Sequence, residues 1–237
     1  AAPAWLYALQ QAAPNWLAAM LLIMALTTGL LAGLHARDRH VLYLSGMMLS
    51  WVLLRISTAL PATGLRQLAL SLMTLCGVQF LLRQLSWSRL WIDYALLLQC
   101  LALPVSLLLA SDHALTLLAP LWTGLLLLEM LAAMAWHLRL RWLALRAFSP
   151  PNPLQAADFR LISSLLGLAS AALLAEQLLQ HLGPAPSMLA AWLGLALPLL
   201  MLALGLHQTI AFARARREAE SLQLQIEQRM HEKVADA

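Results

Sequence analysis

Charge is what this sequence has least of. Asp, Glu, Lys and Arg make up 11% of its 237 residues while hydrophobic residues make up 62%, against ~25% charged and ~45–50% apolar in soluble globular domains. That balance excludes an ordinary soluble domain and places the chain in a bilayer. Lysine is reduced to Lys233 in the tail, so no amine inside a bundle is available for a retinal-type Schiff base. Cys76 and Cys100 both fall inside apolar runs, which leaves no disulfide framework and says nothing about redox compartment. His, Cys and carboxylate groups are too sparse in the apolar runs to converge on a haem or metal. No phosphate-binding loop, nucleophile elbow or HExxH is present, and no 20–50-residue period signals a repeat architecture. An initiator Met and a signal-peptide pattern are also missing, so the chain reads as a piece of a longer protein.

What is there is a series of apolar runs with short polar breaks. A membrane-spanning helix needs ~20 mostly apolar residues, and seven such runs are predicted: Trp16–Leu34, Val41–Leu60, Leu65–Leu82, Tyr94–Ala110, Ala114–Trp136, Phe159–Gln180 and Met188–Ile210. Pro61-Ala-Thr-Gly64 and Gly183-Pro-Ala-Pro186 read as tight turns, and Ser149-Pro-Pro-Asn-Pro153 as a stiffened longer loop. Residues Ala1–Asn15 are too short and proline-broken to span, and are expected to be an outer linker or interfacial segment. Trp16, Trp87, Trp91, Trp136 and Trp142 fall near predicted interfaces, where an indole buries its ring and keeps its N–H wet.

The cations set the expected orientation. Arg37, Arg39, Arg83, Arg89, Arg139, Arg141, Arg146, Arg160, Arg214, Arg216, Arg217, Arg229 and Lys233, thirteen of the 15 Lys and Arg, fall in breaks on one side of the alternation. The opposite breaks have Arg66 nearby. By the positive-inside rule the tail is cytoplasmic and the N-terminus outside.

Ionisable groups inside spans are functional candidates by default. Arg55 in span 2 and Glu176 in span 6 share the outer third, which invites a pair, with a ligand or switch site open to the outside as the alternative. Glu129 in span 5 and His207 in span 7 lie toward the inner side and are candidates for a proton-sensitive contact, or for two separately satisfied polar groups. Gln79 and Gln99 are expected to hydrogen-bond between helices. Pro104, Pro120 and Pro198 fall inside spans 4, 5 and 7.

From Ala211 to Ala237 the composition reverses to dense charge and strong helix formers without Gly or Pro. No breaker separates this stretch from the last apolar run, so one helix is expected to leave the membrane and continue. With Phe212, Ala219 and Ile226 at heptad position a and Ala215 and Leu222 at d, an apolar dimer seam begins and then turns polar. Moving to Met230 and Val234 restores it, equivalent to a stutter. His231-Glu232 has the look of a phospho-accepting pair, but the arginines expected before it are absent at Gln223 and Gln225, and a solvated coil residue is the preferred reading.

The segment Ile226-Glu-Gln-Arg-Met-His-Glu-Lys-Val234 resembles the LExRVxERT linker coil that joins bacterial membrane sensors to their output modules, departing at Met230, Lys233 and Val234. With the seven spans, the segment Ala36-Arg-Asp-Arg-His-Val-Leu-Tyr43 and the charged exit helix, the layout is similar to that of the seven-transmembrane receptors with diverse intracellular signalling modules. The resemblance implies an extracellular carbohydrate-binding-like domain before this stretch and a catalytic output after it.

The expectation is therefore an all-α membrane protein of three parts: an outer segment (1–15), a seven-transmembrane sensor (16–210) and a cytoplasmic coiled-coil signalling helix (211–237). It would sit in a bacterial cytoplasmic membrane and dimerise through the coil. It would hold no catalytic centre or cofactor of its own, with ATP used by the absent output module if that is a histidine kinase. A diguanylate cyclase output is the runner-up and a small transporter or channel the competing class. The bilayer and the absent domains are the expected partners, and nucleic acid is not among them.

Overall fold

The computed structural model describes the backbone of residues 4–34, 39–59, 63–84, 89–147, 153–182 and 188–235. These form seven helices: α1 (Ala4–Leu34), α2 (Arg39–Ala59), α3 (Thr63–Gln84), α4 (Leu90–Leu109), α5 (Asp112–Ala147), α6 (Pro153–Leu182) and α7 (Met188–Ala235). Each contains a stretch long and apolar enough to cross a membrane, which marks a multi-pass membrane protein. The stretches, Asn15–Gly33, His40–Ser57, Gly64–Gln84, Leu90–Leu109, His113–Leu140, Leu161–His181 and Leu195–Arg217, overlap the seven predicted runs. Helices are the form the backbone must take here, because hydrocarbon offers no partner to an unpaired N–H or C=O.

Four helices outrun their spans, α6 by beginning at Pro153, eight residues before its apolar stretch. Helix α1 takes in residues 4–15, where Ala, Leu and Gln dominate and only Pro14 lacks an N–H to donate. Helix α5 runs 36 residues, so the break expected after Trp136 begins about three turns later. Helix α7 is continuous for 48 residues with Pro198 inside it. At 1.5 Å per residue it is about 72 Å long, more than twice a ~30 Å hydrocarbon core.

Helices α1, α2, α3, α5, α6 and α7 close into a ring in which α7 packs on α6, α1 and α2. Helix α3 is the inner member, touching α2, α4, α5 and α6, while α4 stands outside against α3 and the edge of α5. Burial follows this arrangement, 67% of the α3 span against 17% of the α4 span. The core is filled by Leu21, Leu44, Met47, Trp51, Met73, Phe80, Leu103, Met130 and Met201. Trp51 is therefore a core residue, whereas Trp16, Trp91 and Trp142 are exposed, as interfacial anchors would be. Trp136 is only half-buried, with the Arg139 guanidinium 5.5 Å from its ring centre, and Trp87 lies outside the described residues.

Lipid tails are as apolar as leucine, so close packing and polar contacts must hold such helices together. The α1–α2 contact is made by Ser45, whose hydroxyl donates to the Ala25 carbonyl at 2.6 Å. On α2, a Cβ at Gly46 would lie 2.8 Å from the Cys76 sulfur of α3. A side chain there must push the two most buried helices apart. Gly46→Leu is expected to lower unfolding stability by about 1–3 kcal/mol through overpacking, while Gly33→Leu, where nothing lies within 4 Å, should leave it unchanged. Thermal unfolding of both variants in one nanodisc lipid checks the contrast.

Candidate functional site

The larger polar networks stand at the two ends of the bundle. At the end from which the α7 extension leaves, the exit end, Arg83 near the α3 C-terminus forms an ion pair with Asp93 in the first turn of α4 at 2.6 Å. Gln79 donates from its amide nitrogen to the other Asp93 oxygen at 2.7 Å, and the Arg83 guanidinium stands 5.9 Å from the Tyr43 ring centre on α2. One cation thus ties α2, α3 and α4. His137 on α5 is 0% exposed, with Nδ1 3.2 Å from the Leu81 carbonyl of α3. The run predicted to end at Trp136 leaves His137 in the polar break that follows it. Because α5 continues to Ala147, that position is still inside the bundle.

A second cavity-forming feature at the exit end occupies about 250 Å³ between α1, α2 and the root of the α7 extension, lined by Thr28, Val41, Gln208, Phe212 and Ala215. Phe212, the first predicted seam residue, is half-buried there. The side chains of Ala219, Leu222, Ile226 and Met230 lie outside the described residues. Arg216 and Glu220, one turn apart on the exposed extension, form an ion pair at 2.9 Å, of the kind worth about 0.3–0.5 kcal/mol.

The opposite end holds the larger constellation. Arg66, in the first turn of α3, donates from Nη2 to the Gln177 side-chain oxygen and, at 2.9 Å, to that of Gln180, both on α6. The Gln180 amide nitrogen in turn donates to Glu176 at 3.0 Å. Gln67 donates to Thr123 of α5 at 3.3 Å, and its amide nitrogen stands 3.4 Å from His181 Nε2. Beside this network a cavity of about 610 Å³ opens between α3, the C-terminal half of α4 and the first turns of α5. Its wall carries the polar Arg66, Gln67, Thr116 and His181 and the apolar Pro104, Leu107, Leu115 and Ala119.

The four candidate span residues are thus distributed differently from expectation. Glu176 is buried and bound to Gln180, with Arg66 the cation in electrostatic reach. Arg55 is half-buried on α2, which does not touch α6 because α3 lies between them. Among the described residues the ion pairs are Arg83–Asp93 and Arg216–Glu220, so the expected Arg55–Glu176 pair is replaced by a glutamine bridge to Arg66. Glu129 accepts from Gln99 across α4 and α5 at 3.0 Å. It does not meet His207, since α5 and α7 are separated by α6. Gln79 and Gln99 do bond between helices, as their positions in spans predicted.

Two parts of this chemistry escaped the sequence reading, Arg66 and Asp93, which were counted with the polar breaks. A usable signal was present for the first: Glu176, Gln177 and Gln180 fall at helical spacing on one side of an otherwise apolar run. Among the described residues no three His, Cys, Asp or Glu side chains converge to hold a metal ion.

Double-mutant cycles separate the two ends. Arg83→Ala and Asp93→Ala should couple by about 0.5–3 kcal/mol, whereas Arg55→Ala and Glu176→Ala should add to within about 0.5 kcal/mol. Unfolding in mixed micelles measures both, and coupling in the second cycle would contradict the bridge described above.

The chain matches no protein-family model, no curated protein and no solved structure.

Proposed function

We propose that this chain is the transmembrane sensing and relay domain of a bacterial receptor of the seven-transmembrane class with diverse intracellular signalling modules, and that α7 is its output. The observation that carries the reading is the single 48-residue helix that begins inside the bundle and ends far beyond it. A rigid helix transmits a shift or rotation at its root along its length, which a flexible linker would dissipate. The root has room to move, because Phe212 and Ala215 border a cavity shared with α1 and α2.

In this reading the N-terminus is outside and the arginine-rich end cytoplasmic. The extension pairs with that of a second copy through Phe212, Ala219, Leu222, Ile226 and Met230. A signal moves α7 and changes the pairing register of the coil. The output is a sensor histidine kinase of a two-component system, with a diguanylate cyclase as the other assignment.

The full-length protein in nanodiscs, offered labelled ATP and separately GTP, tests this directly. Acid-labile, base-stable phosphate on the protein is the expected product, and cyclic di-GMP would identify the cyclase. Leu222→Pro, which breaks the extension at about 3 kcal/mol or more, should abolish either product with expression maintained. Absence of both products together with a solute flux that survives Leu222→Pro would replace the relay by a transporter or channel.

A further inference from the structure

The cavity at the end opposite the α7 exit has a chemistry the relay reading does not use. Its volume of about 610 Å³ lies within the ~300–1,000 Å³ of small-molecule sites. Much of its wall is hydrocarbon, from Pro104, Leu107, Leu115 and Ala119. Its edge holds one fixed cation, Arg66.

Arg66 is held in an unusual way for a cation in a span. Its partners are two neutral amide oxygens, from Gln177 and Gln180, and Gln180 stands between it and Glu176. Glutamines orient the guanidinium without neutralising it, whereas a direct carboxylate pair would have consumed the charge. Arg66 borders the cavity and Glu176 does not. The fourth residue of α3 also shares the positive end of that helix's dipole.

We propose that this cavity binds an amphipathic anion, a hydrocarbon chain ending in a carboxylate, with the head on Arg66 and the tail between α4 and α5 against Leu107, Leu115 and Ala119. The site is reached from the membrane side, because Leu108 beside it is 85% exposed, so the ligand enters dissolved in the lipid. The assignment deepens the relay reading by naming what the bundle senses and rests on that reading only for the consequence of binding. Binding itself is read without any output, so either reading can fail alone.

The test is equilibrium binding of radiolabelled decanoate, decanol and decyltrimethylammonium to this chain in zwitterionic phosphatidylcholine nanodiscs, with empty nanodiscs as the blank. Decanoate is expected to show a saturable component near one per chain, at least tenfold tighter than either other probe. Arg66→Gln, which keeps hydrogen bonds and removes charge, should weaken it at least tenfold, and Arg66→Lys less. Should Arg66→Gln fail to fold, Ala119→Phe, which fills the apolar wall, serves in its place and should abolish the saturable component with thermal unfolding retained. Equal saturable binding of the three probes would overturn the anionic head, and uptake linear in concentration and insensitive to both variants would overturn the site altogether.

Discussion

A backbone in hydrocarbon has no water to fall back on, and the rest of this structure follows from that constraint. It forces seven helices and deprives them of the hydrophobic drive that packs soluble bundles. What remains is close contact and the few polar side chains that the lipid will tolerate. Helix α3 concentrates both. Its Gly77 lets Met47 of α2 and Met130 of α5 approach, its Ser71 lies 3.2 Å from the Cys100 sulfur of α4, and its Leu81 carbonyl meets His137. The helix at the centre is the one with the most ways of being held.

The spans and the long last helix were legible because hydropathy and breakers are one-dimensional signals. Seven apolar runs between Pro, Gly and charge fix the number and order of the spans, though not the helix ends, and the absence of any breaker between Ile210 and Ala235 is enough to predict a continuous helix. That Gln79 and Gln99 bond across helices was legible for a similar reason, since a buried amide in lipid has few other places to go.

Pairing between spans was not legible, because sequence gives the depth of a residue but not its bearing. Arg55 and Glu176 share a depth, as do Glu129 and His207, yet one helix separates the members of each couple. The same limit explains Arg66. Counting it with a loop was reasonable for a residue just after Pro61–Gly64, until α6 is seen to present Gln177 and Gln180 to it. His137 failed along the chain instead. The span was ended one residue too early for it, and a helix that continues to Ala147 turns a rim histidine into a buried one.

The close approaches in the bundle are of two kinds, and the difference bears on how the relay we propose would move. At Gly29 and Gly46, in the contacts of α2 with α1 and α3, the nearest atoms belong to short groups, the Ser45 hydroxyl and the Cys76 sulfur. Such groups sit near their own backbone and yield little. At Gly205 of α7 the neighbouring atoms are Cγ and the sulfur of Met24 and the terminal carbon of Met48, and at Gly77 of α3 and Gly167 of α6 methionines again stand nearest, unbranched side chains that re-pack at low energy. The Thr209 hydroxyl, one turn on, is spent on the Gly205 carbonyl of its own helix at 2.9 Å. Helix α7 is therefore seated on an adaptable surface, while α2, α3 and α4 are tied together at the exit end by Arg83, Asp93, Gln79 and Tyr43. In the relay we propose, a strain in the bundle is relieved where such side chains can adjust, and the seat of α7 is one of those places.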